Sequence, residues 1–351
     1  MEHAFRIEIN LHVPRETLDK NGPILPRNYT QDFKQVLSQP YNKYRENLPV
    51  GIYNNAYLTN TGIGLKSFKL IDETIFNNIT RQHRKHFYKY ALYKYLLGRN
   101  IRINGDNLLL MHNHWTNGYH HWVTECLTKM VCLDTAQYTL VIPEDYGQFA
   151  FDSISLFNFK EIKKIPARSG LFAKEITLVA NPNSGHYNPA LLASLKDKLI
   201  EKCAAKAISI EPFERIYISR KTVPLRRVEN EEDVIGLLTR YGFNTIDIEK
   251  LNFFQQVQLF SRCKAFVSIH GAALTNAMFM PKRGKVLELY RSLKNDSLWM
   301  NTCYWNLVTA SGLDYYYQFC EHGANYGTSA DNTNIIVDIP KLEQNIKLML
   351  G

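Results

Sequence analysis

Apolar and polar positions alternate in two separate stretches of the chain, each with its own rhythm. Between residues 50 and 70, short alternating runs broken by Asn54-Asn55 and by Gly62 and Gly64 predict hairpin strands. Residues 73–98 carry a helical pattern that stops at Gly98. Residues 107–111 predict a short apolar strand, 119–133 an apolar helix and 138–143 a strand. Residues 149–157 then predict a helix and 176–180 a strand. Strands alternating with helices predict an α/β domain. Residues 1–48 show little periodicity, and the breaker cluster from Asn181 to Pro189 predicts a linker.

After a helix over 190–205 the second alternation begins, with clearer punctuation. Arg215-Ile216-Tyr217-Ile218-Ser219-Arg220 reads as a strand and the loop behind it. Asn230 with Asp233 opens a helix that Gly242 stops, and Asn252 with Gln255 makes a capping-box start for the next. The apolar run Ala265–Ile269 leads into His270-Gly271 and a helix of small residues, which Pro281 and Gly284 end before a strand over 285–290. This order predicts a parallel, doubly wound sheet. Ligands bind such sheets at the carboxyl ends of the strands, where Arg220, His270 and Glu288 fall. The domains expected are 1–185 and 186–330, with a strand and helix over 331–351 returning to the N-terminal domain.

A length of 351 residues and a hydrophobic share of 45% allow two real cores. The net charge of +9 favours anionic partners. The basic residues form no long run, which argues against a dedicated nucleic-acid binder. Six scattered cysteines without a CxxC pair argue against a disulfide framework or a structural zinc. The opening residues have no apolar signal core, so a cytoplasmic location is expected. The aromatic and basic stretch 81–95 leaves room for peripheral contact at the inner membrane.

Three constellations carry candidate chemistry. The first runs from Met111 to Glu125 and holds His112, His114, His120 and His121. It lacks an HExxH motif and a metal-ligand spacing of carboxylates or cysteines, so no metal is expected there. His121 and Glu125 stand four apart and share a helix face, which makes either one a candidate general base for a sugar hydroxyl. The second is Arg220 with Arg226, supported by Lys221 and Arg227, whose planar guanidiniums suit phosphate oxygens. The third is His270-Gly271 at a helix start, a place that attracts phosphate, with Ala272 permitting close approach and Asn276 one turn on. Glu288 is a candidate acceptor for a ribose diol. A packed helix, a solvated basic loop and a solvent-facing carboxylate remain the structural alternatives. GxxxxGK[ST], GxGxxG and GxSxG are missing, and Asp247-Ile248-Glu249 is a poor substitute for a DxD pair.

Residues 105–290 resemble glycosyltransferase family 61 in bacterial-type form, similar also to the plant xylosyltransferases and secretory-pathway O-linked N-acetylglucosamine transferases. The resemblance rests on Tyr119-His120-His121-Trp122 through Glu125, on Ile216 to Arg220 with Arg226-Arg227 and Asn230-Glu231, and on Gly242-Phe243 and Gln256. It continues through His270-Gly271-Ala272-Ala273-Leu274-Thr275-Asn276, Phe279, Pro281 and Glu288. It implies a GT-B-like α/β fold of two Rossmann-like, doubly wound domains facing across a cleft. It also implies inverting, metal-independent transfer from a nucleotide sugar, with UDP the expected nucleotide. The acceptor would be a glycan or lipid-linked glycan, as in bacterial surface polysaccharide synthesis, with no nucleic acid partner. His121 and Glu125 would stand near the reacting hydroxyl. Arg220, Arg226, His270, Gly271, Ala272 and Asn276 would surround the diphosphate and base, and Glu288 the ribose. Three rivals remain: a noncatalytic nucleotide- or glycan-binding module on the same fold, a nucleic-acid binder, and a metal hydrolase using the histidine cluster.

Overall fold

In a computed structural model the structure describes residues 6–7, 23–45, 47–76, 79–206, 208, 210–293, 300–325 and 332–351. The protein is a mixed α/β chain whose backbone separates into two compact units. Unit 1 comprises residues 1–16 and 43–195; unit 2 comprises 17–42 and 196–351.

Unit 1 is built on a nine-stranded sheet. Its strands are β1 (Arg6–Ile7), β2 (Val50–Leu58), β3 (Gly64–Lys66), β4 (Lys69–Leu70), β5 (Asn100–Ile103), β6 (Leu108–Leu110), β7 (Thr139–Pro143), β8 (Glu161–Ile165) and β9 (Gly170–Val179). They lie in the order β4-β3-β2-β9-β6-β7-β8, with β1 beside β2 and β5 beside β9. Short hairpin connections make β2, β3 and β4 antiparallel, and β2 also runs antiparallel to β9. β5, β6, β7, β8 and β9 are mutually parallel. The expectation of a doubly wound sheet therefore holds only for the parallel strands β5 to β9; the tight connections of β2, β3 and β4 pair them antiparallel. Helices over 119–130 and Gln148–Ile154 connect β6 to β7 and β7 to β8. Leu108, Leu110, Val141, Ile176 and Leu178 form one core cluster with Ala56, Leu58 and Leu171 of the same sheet.

Unit 2 is a six-stranded sheet of β10 (Arg215–Ile218), β11 (Asn244–Ile246), β12 (Ala265–Ile269), β13 (Lys285–Arg291), β14 (Asp314–His322) and β15 (Ile335–Ile336). The order is β11-β10-β12-β13-β14-β15. The first five strands are parallel and β15 closes the edge antiparallel. β10, β12 and β13 are buried on both faces and mostly apolar, as strands covered on both sides tend to be, with Glu288 of β13 an exception. The helix at Phe253–Phe260 carries the full capping box expected of Asn252 and Gln255.

Two expectations about the termini are corrected. The C-terminal helix Ile339–Leu350 places Leu342, Ile346 and Met349 in one cluster with Tyr217, Val267 and Leu289 of unit 2, so residues 332–351 do not return to unit 1. Residues 23–42, which show no period in the sequence, also belong to unit 2. Phe33 there packs its ring against Trp305 and Tyr317 at 5.2 and 4.6 Å. An aromatic anchor of this kind leaves no periodic trace, because one side chain supplies the buried area.

Replacing Ile346 by Ala removes fully buried methylene and methyl groups from this cluster. Urea unfolding should then show a loss of about 2–5 kcal/mol. A shift near zero would place the C-terminal helix outside the core.

Candidate active site

In both sheets the strand order reverses once beside a strand that starts an outward run. In unit 1, β6, β7 and β8 step one way, and β9 returns to the other side of β6. In unit 2, β11 lies on one side of β10 and β12 on the other. The connections leave such a junction in opposite directions, so a crevice opens above the carboxyl ends of its two strands. Both polar constellations lie at these ends.

At the β6–β9 junction of unit 1, Glu125 is almost fully buried while the side chain of His121 keeps 31% of its exposure. His121 Nδ1 and Glu125 Oε1 are 2.7 Å apart. Ser184 Oγ donates to the same oxygen at 3.0 Å, and Asn113 Nδ2 donates to Oε2 at 3.1 Å. Asn113 follows the end of β6; Ser184 and Asn181 follow the end of β9. Asn181 Oδ1 in turn accepts from the buried Lys129 Nζ at 2.9 Å and from Asn113 at 3.3 Å. Burial lowers the affinity of Lys129 for its proton, against the opposing pull of Cys126 and Glu125. The helix that carries these groups is π-wound from Trp122 to Leu127, and Glu125 sits inside the wider turn. Such turns are frequent at functional sites.

The two candidates for a base are thus unequal. Both oxygens of Glu125 are engaged and enclosed. His121, having given Nδ1 to the carboxylate, retains Nε2 for an approaching group. Its ring lies 5.3 Å from that of Trp115, which is 41% exposed and offers a flat apolar face beside it. The other histidines have separate tasks. His112 Nε2 pairs with the Asn60 carbonyl at 3.1 Å, and His120 Nε2 with the Tyr187 hydroxyl at 3.0 Å. His114 packs on Phe87 at 4.3 Å.

In unit 2, Arg220 follows β10 and His270-Gly271 follows β12. A Cβ placed on Gly271 would meet Arg220 Nη1 at 3.4 Å and Arg226 Nη1 at 3.8 Å, so both guanidiniums converge on this glycine. Two backbone carbonyls orient Arg220, that of Arg226 at 3.1 Å and that of Leu225 at 3.3 Å. The loop is tied down by Glu231, which accepts from the Arg220 backbone N–H at 3.2 Å and from the Tyr217 hydroxyl at 2.8 Å. Arg226 has a left-handed backbone, φ +56°, and its buried Nε has no partner among the described residues. Strain and an unsatisfied buried donor at one residue are features of binding sites. Burial, and then the neighbouring charge of Arg226, lowers the proton affinity of Arg220. Among the described residues no carboxylate forms an ion pair with either guanidinium. The two guanidiniums therefore leave positive charge gathered beside Gly271.

His270 stands at the same place, its ring edge-on to Tyr290 and Tyr304 at 4.8 and 4.9 Å. Its Nδ1 is hydrogen-bonded to Glu288. The ribose assignment of Glu288 is corrected here. The carboxylate is fully buried, one oxygen meets His270 and the other accepts from the Tyr315 hydroxyl at 2.7 Å. Glu288 therefore orients His270 from behind and has no surface for a sugar diol. Asn276 is corrected in the same way. It is fully buried and donates to Gln256 Oε1 at 3.1 Å and to the Ala273 carbonyl at 3.2 Å. The segment Ala272–Phe279 is a 3-10 helix, not an α-helix. Its tighter turn draws Asn276 into the packing while Gly271 and Ala272 stay beside the arginines.

Residues 119–287 match the model of the family Glycosyltransferase 61. The chain is 27% identical over 135 residues to the EGF domain-specific O-linked N-acetylglucosamine transferase of Drosophila melanogaster, covering 35% of this chain and 25% of that protein. It is 24% identical over 106 residues to the Mus musculus protein of the same name, covering 29% of this chain and 19% of that one. These alignments span about a quarter and a fifth of the two relatives.

Burial pushes the His112 imidazole down from 6.5 to about 3 and that of His114 to about 4. Above pH 6.5 neither the folded nor the unfolded chain holds these protons; below it the unfolded chain takes them up first. Stability should therefore fall as the pH drops from 6.5 toward 4 and then 3. Urea midpoints measured across that range should show a shallower acid slope in His112→Asn; an unchanged slope would exclude His112 as a source.

Proposed function

The chain belongs to glycosyltransferase family 61 through residues 119–287, and on that premise we propose that it moves a sugar from a nucleotide donor to a glycan hydroxyl. The observation that carries the reading is the convergence of Arg220 and Arg226 on Gly271 above the β10–β12 reversal. A nucleoside diphosphate fits that arrangement. Each guanidinium offers planar paired donors to phosphate oxygens, and the missing Cβ lets the diphosphate approach the backbone. His270, aimed by Glu288, adds a donor through Nε2 when its ring is protonated.

In this proposal unit 2 is the donor half and unit 1 the acceptor half of a GT-B transferase. The acceptor hydroxyl oxygen forms a bond to the anomeric carbon as the bond from that carbon to the diphosphate oxygen breaks. A single displacement inverts the configuration. The hydroxyl proton passes to His121 Nε2, and Glu125 holds the ring and stabilises the imidazolium that forms. The electron pair leaves with the diphosphate, whose charge Arg220, Arg226 and His270 balance. The reading needs no divalent ion, since fixed cations face the leaving group and the carboxylates beside them, Glu231 and Glu288, are engaged by Tyr217, His270 and Tyr315. UDP is the first nucleotide to test, and the names of the relatives make N-acetylglucosamine the first sugar.

A thermal-shift screen of nucleoside diphosphates should find one that raises the melting midpoint equally with and without EDTA. Loss of the shift in EDTA would overturn the metal-free reading. Release of nucleoside diphosphate from the matching donor should fall roughly a hundredfold or more in Arg220→Ala, about 2.7–4 kcal/mol of transition-state stabilisation. A nucleotide that binds without any turnover would sink the enzyme reading.

His121→Gln should reduce kcat with little change in donor KM, whereas Glu125→Gln should retain part of the rate because the imidazole survives. Equal rates in His121→Gln and the parent protein would move the base elsewhere.

A further inference from the structure

Among the described residues nothing covers one face of helix Arg81–Leu97. Its inner side, with Phe87, Tyr88, Tyr90 and Tyr95 around the buried Ala91, packs on Tyr57, Ile63 and Leu65 of the sheet. On the outer side Tyr93, Leu96 and Leu97 are 60%, 62% and 75% exposed. At spacings of three and four residues these side chains form one patch. Lys89 and Lys85, both exposed, continue the same stripe one and two turns earlier. From residue 81 to residue 97 there is no Asp or Glu. Of the helix's cations, Arg84 forms an ion pair with Asp72 at 2.7 Å, and no carboxylate among the described residues pairs with Lys85 or Lys89.

A second observation comes from a different element. The hairpin between β3 and β4 turns on Ser67 and Phe68, with φ +48° and +59°. Two-residue turns of this kind take Asn-Gly, because a bulky residue resists a left-handed backbone. Here the strained position holds a phenylalanine that is 56% exposed, its ring 5.3 Å from Tyr95 at the apolar end of the helix. A ring held outward at a conformational cost exposes a further apolar group near the C-terminal end of the helix and adds little to the core.

We propose that this face is a peripheral docking surface for an anionic lipid bilayer. Leu96, Leu97, Tyr93 and Phe68 would enter the boundary between headgroups and acyl chains. Lys85 and Lys89 would stay with the lipid phosphates, the division of labour that an interfacial helix uses. A nucleic acid would account for the lysines but not for four exposed apolar groups beside them. Contact at the surface is also the mode the helices allow, since no helix among the described residues is long and apolar enough to cross a membrane.

The test is co-sedimentation of the full chain with vesicles of phosphatidylcholine, alone or with roughly a third phosphatidylglycerol. Binding should be at least about tenfold stronger to the anionic vesicles, and Leu96→Ser with Leu97→Ser should remove at least about tenfold. Phe68→Gly, which suits the left-handed turn, should weaken vesicle binding while the thermal midpoint stays or rises. That variant separates loss of the surface from loss of the fold. Equal binding to both vesicle types, no sedimentation, or anionic binding untouched by the apolar variants would overturn the proposal. None of these measurements uses turnover, so their failure leaves the transferase reading standing.

Discussion

Where the strand order of a parallel sheet reverses, the two connections diverge and nothing in the sheet fills the space above the strand ends. This constraint acts twice in the chain, between β6 and β9 and between β10 and β12. Each junction gathers side chains from segments far apart in sequence. At the first, Asn113 meets Glu125, and Ser184 reaches the same carboxylate from 59 residues away. At the second, Arg220 and Arg226 meet Gly271. The rest of each unit can be seen as the support that holds these ends in register.

Both half-sites use the same device to aim an imidazole. A carboxylate taken out of water is costly unless its oxygens are satisfied. Glu125 is satisfied by His121, Ser184 and Asn113, and Glu288 by His270 and Tyr315. In each case the enclosed carboxylate fixes Nδ1 and leaves the other ring nitrogen for outside work. The buried Lys129, reaching Asn181, extends the first network and sets its electrostatics. Arg226 is the opposite case. A like charge beside Arg220, a left-handed backbone and an Nε without a partner among the described residues all cost free energy at this loop.

The surface of unit 1 shows a related economy. Helix Arg81–Leu97 spends one side on the aromatic core around Tyr57 and leaves its largest apolar groups outside. The strained turn at Phe68 points to the same place. Packing accounts for little of either, because the Phe68 ring and both leucines stay more than half exposed.

The sequence by itself determined the local elements and the chemistry at the strand ends. Asn252 with Gln255 announces a helix start, alternating runs announce β2 and continuous apolar runs β7 and β12, and His121 with Glu125 four residues on announces a contact; all are rules of near neighbours. The residues converging on Gly271 were legible because each directly follows a strand or lies in the loop behind it. Tertiary structure alone decided the rest. Ser184, Asn113, Lys129 and Tyr315 complete the two networks from positions with no local signal, and Phe33 ties an unpatterned segment to unit 2. Burial, too, could not be read from residue type. Glu288 and Asn276 look like ligand contacts in the sequence, yet the sheet and the 3-10 helix enclose them. Whether a polar group meets solvent or a neighbour depends on what the remote chain brings beside it, and that is fixed only when the strands have found their order.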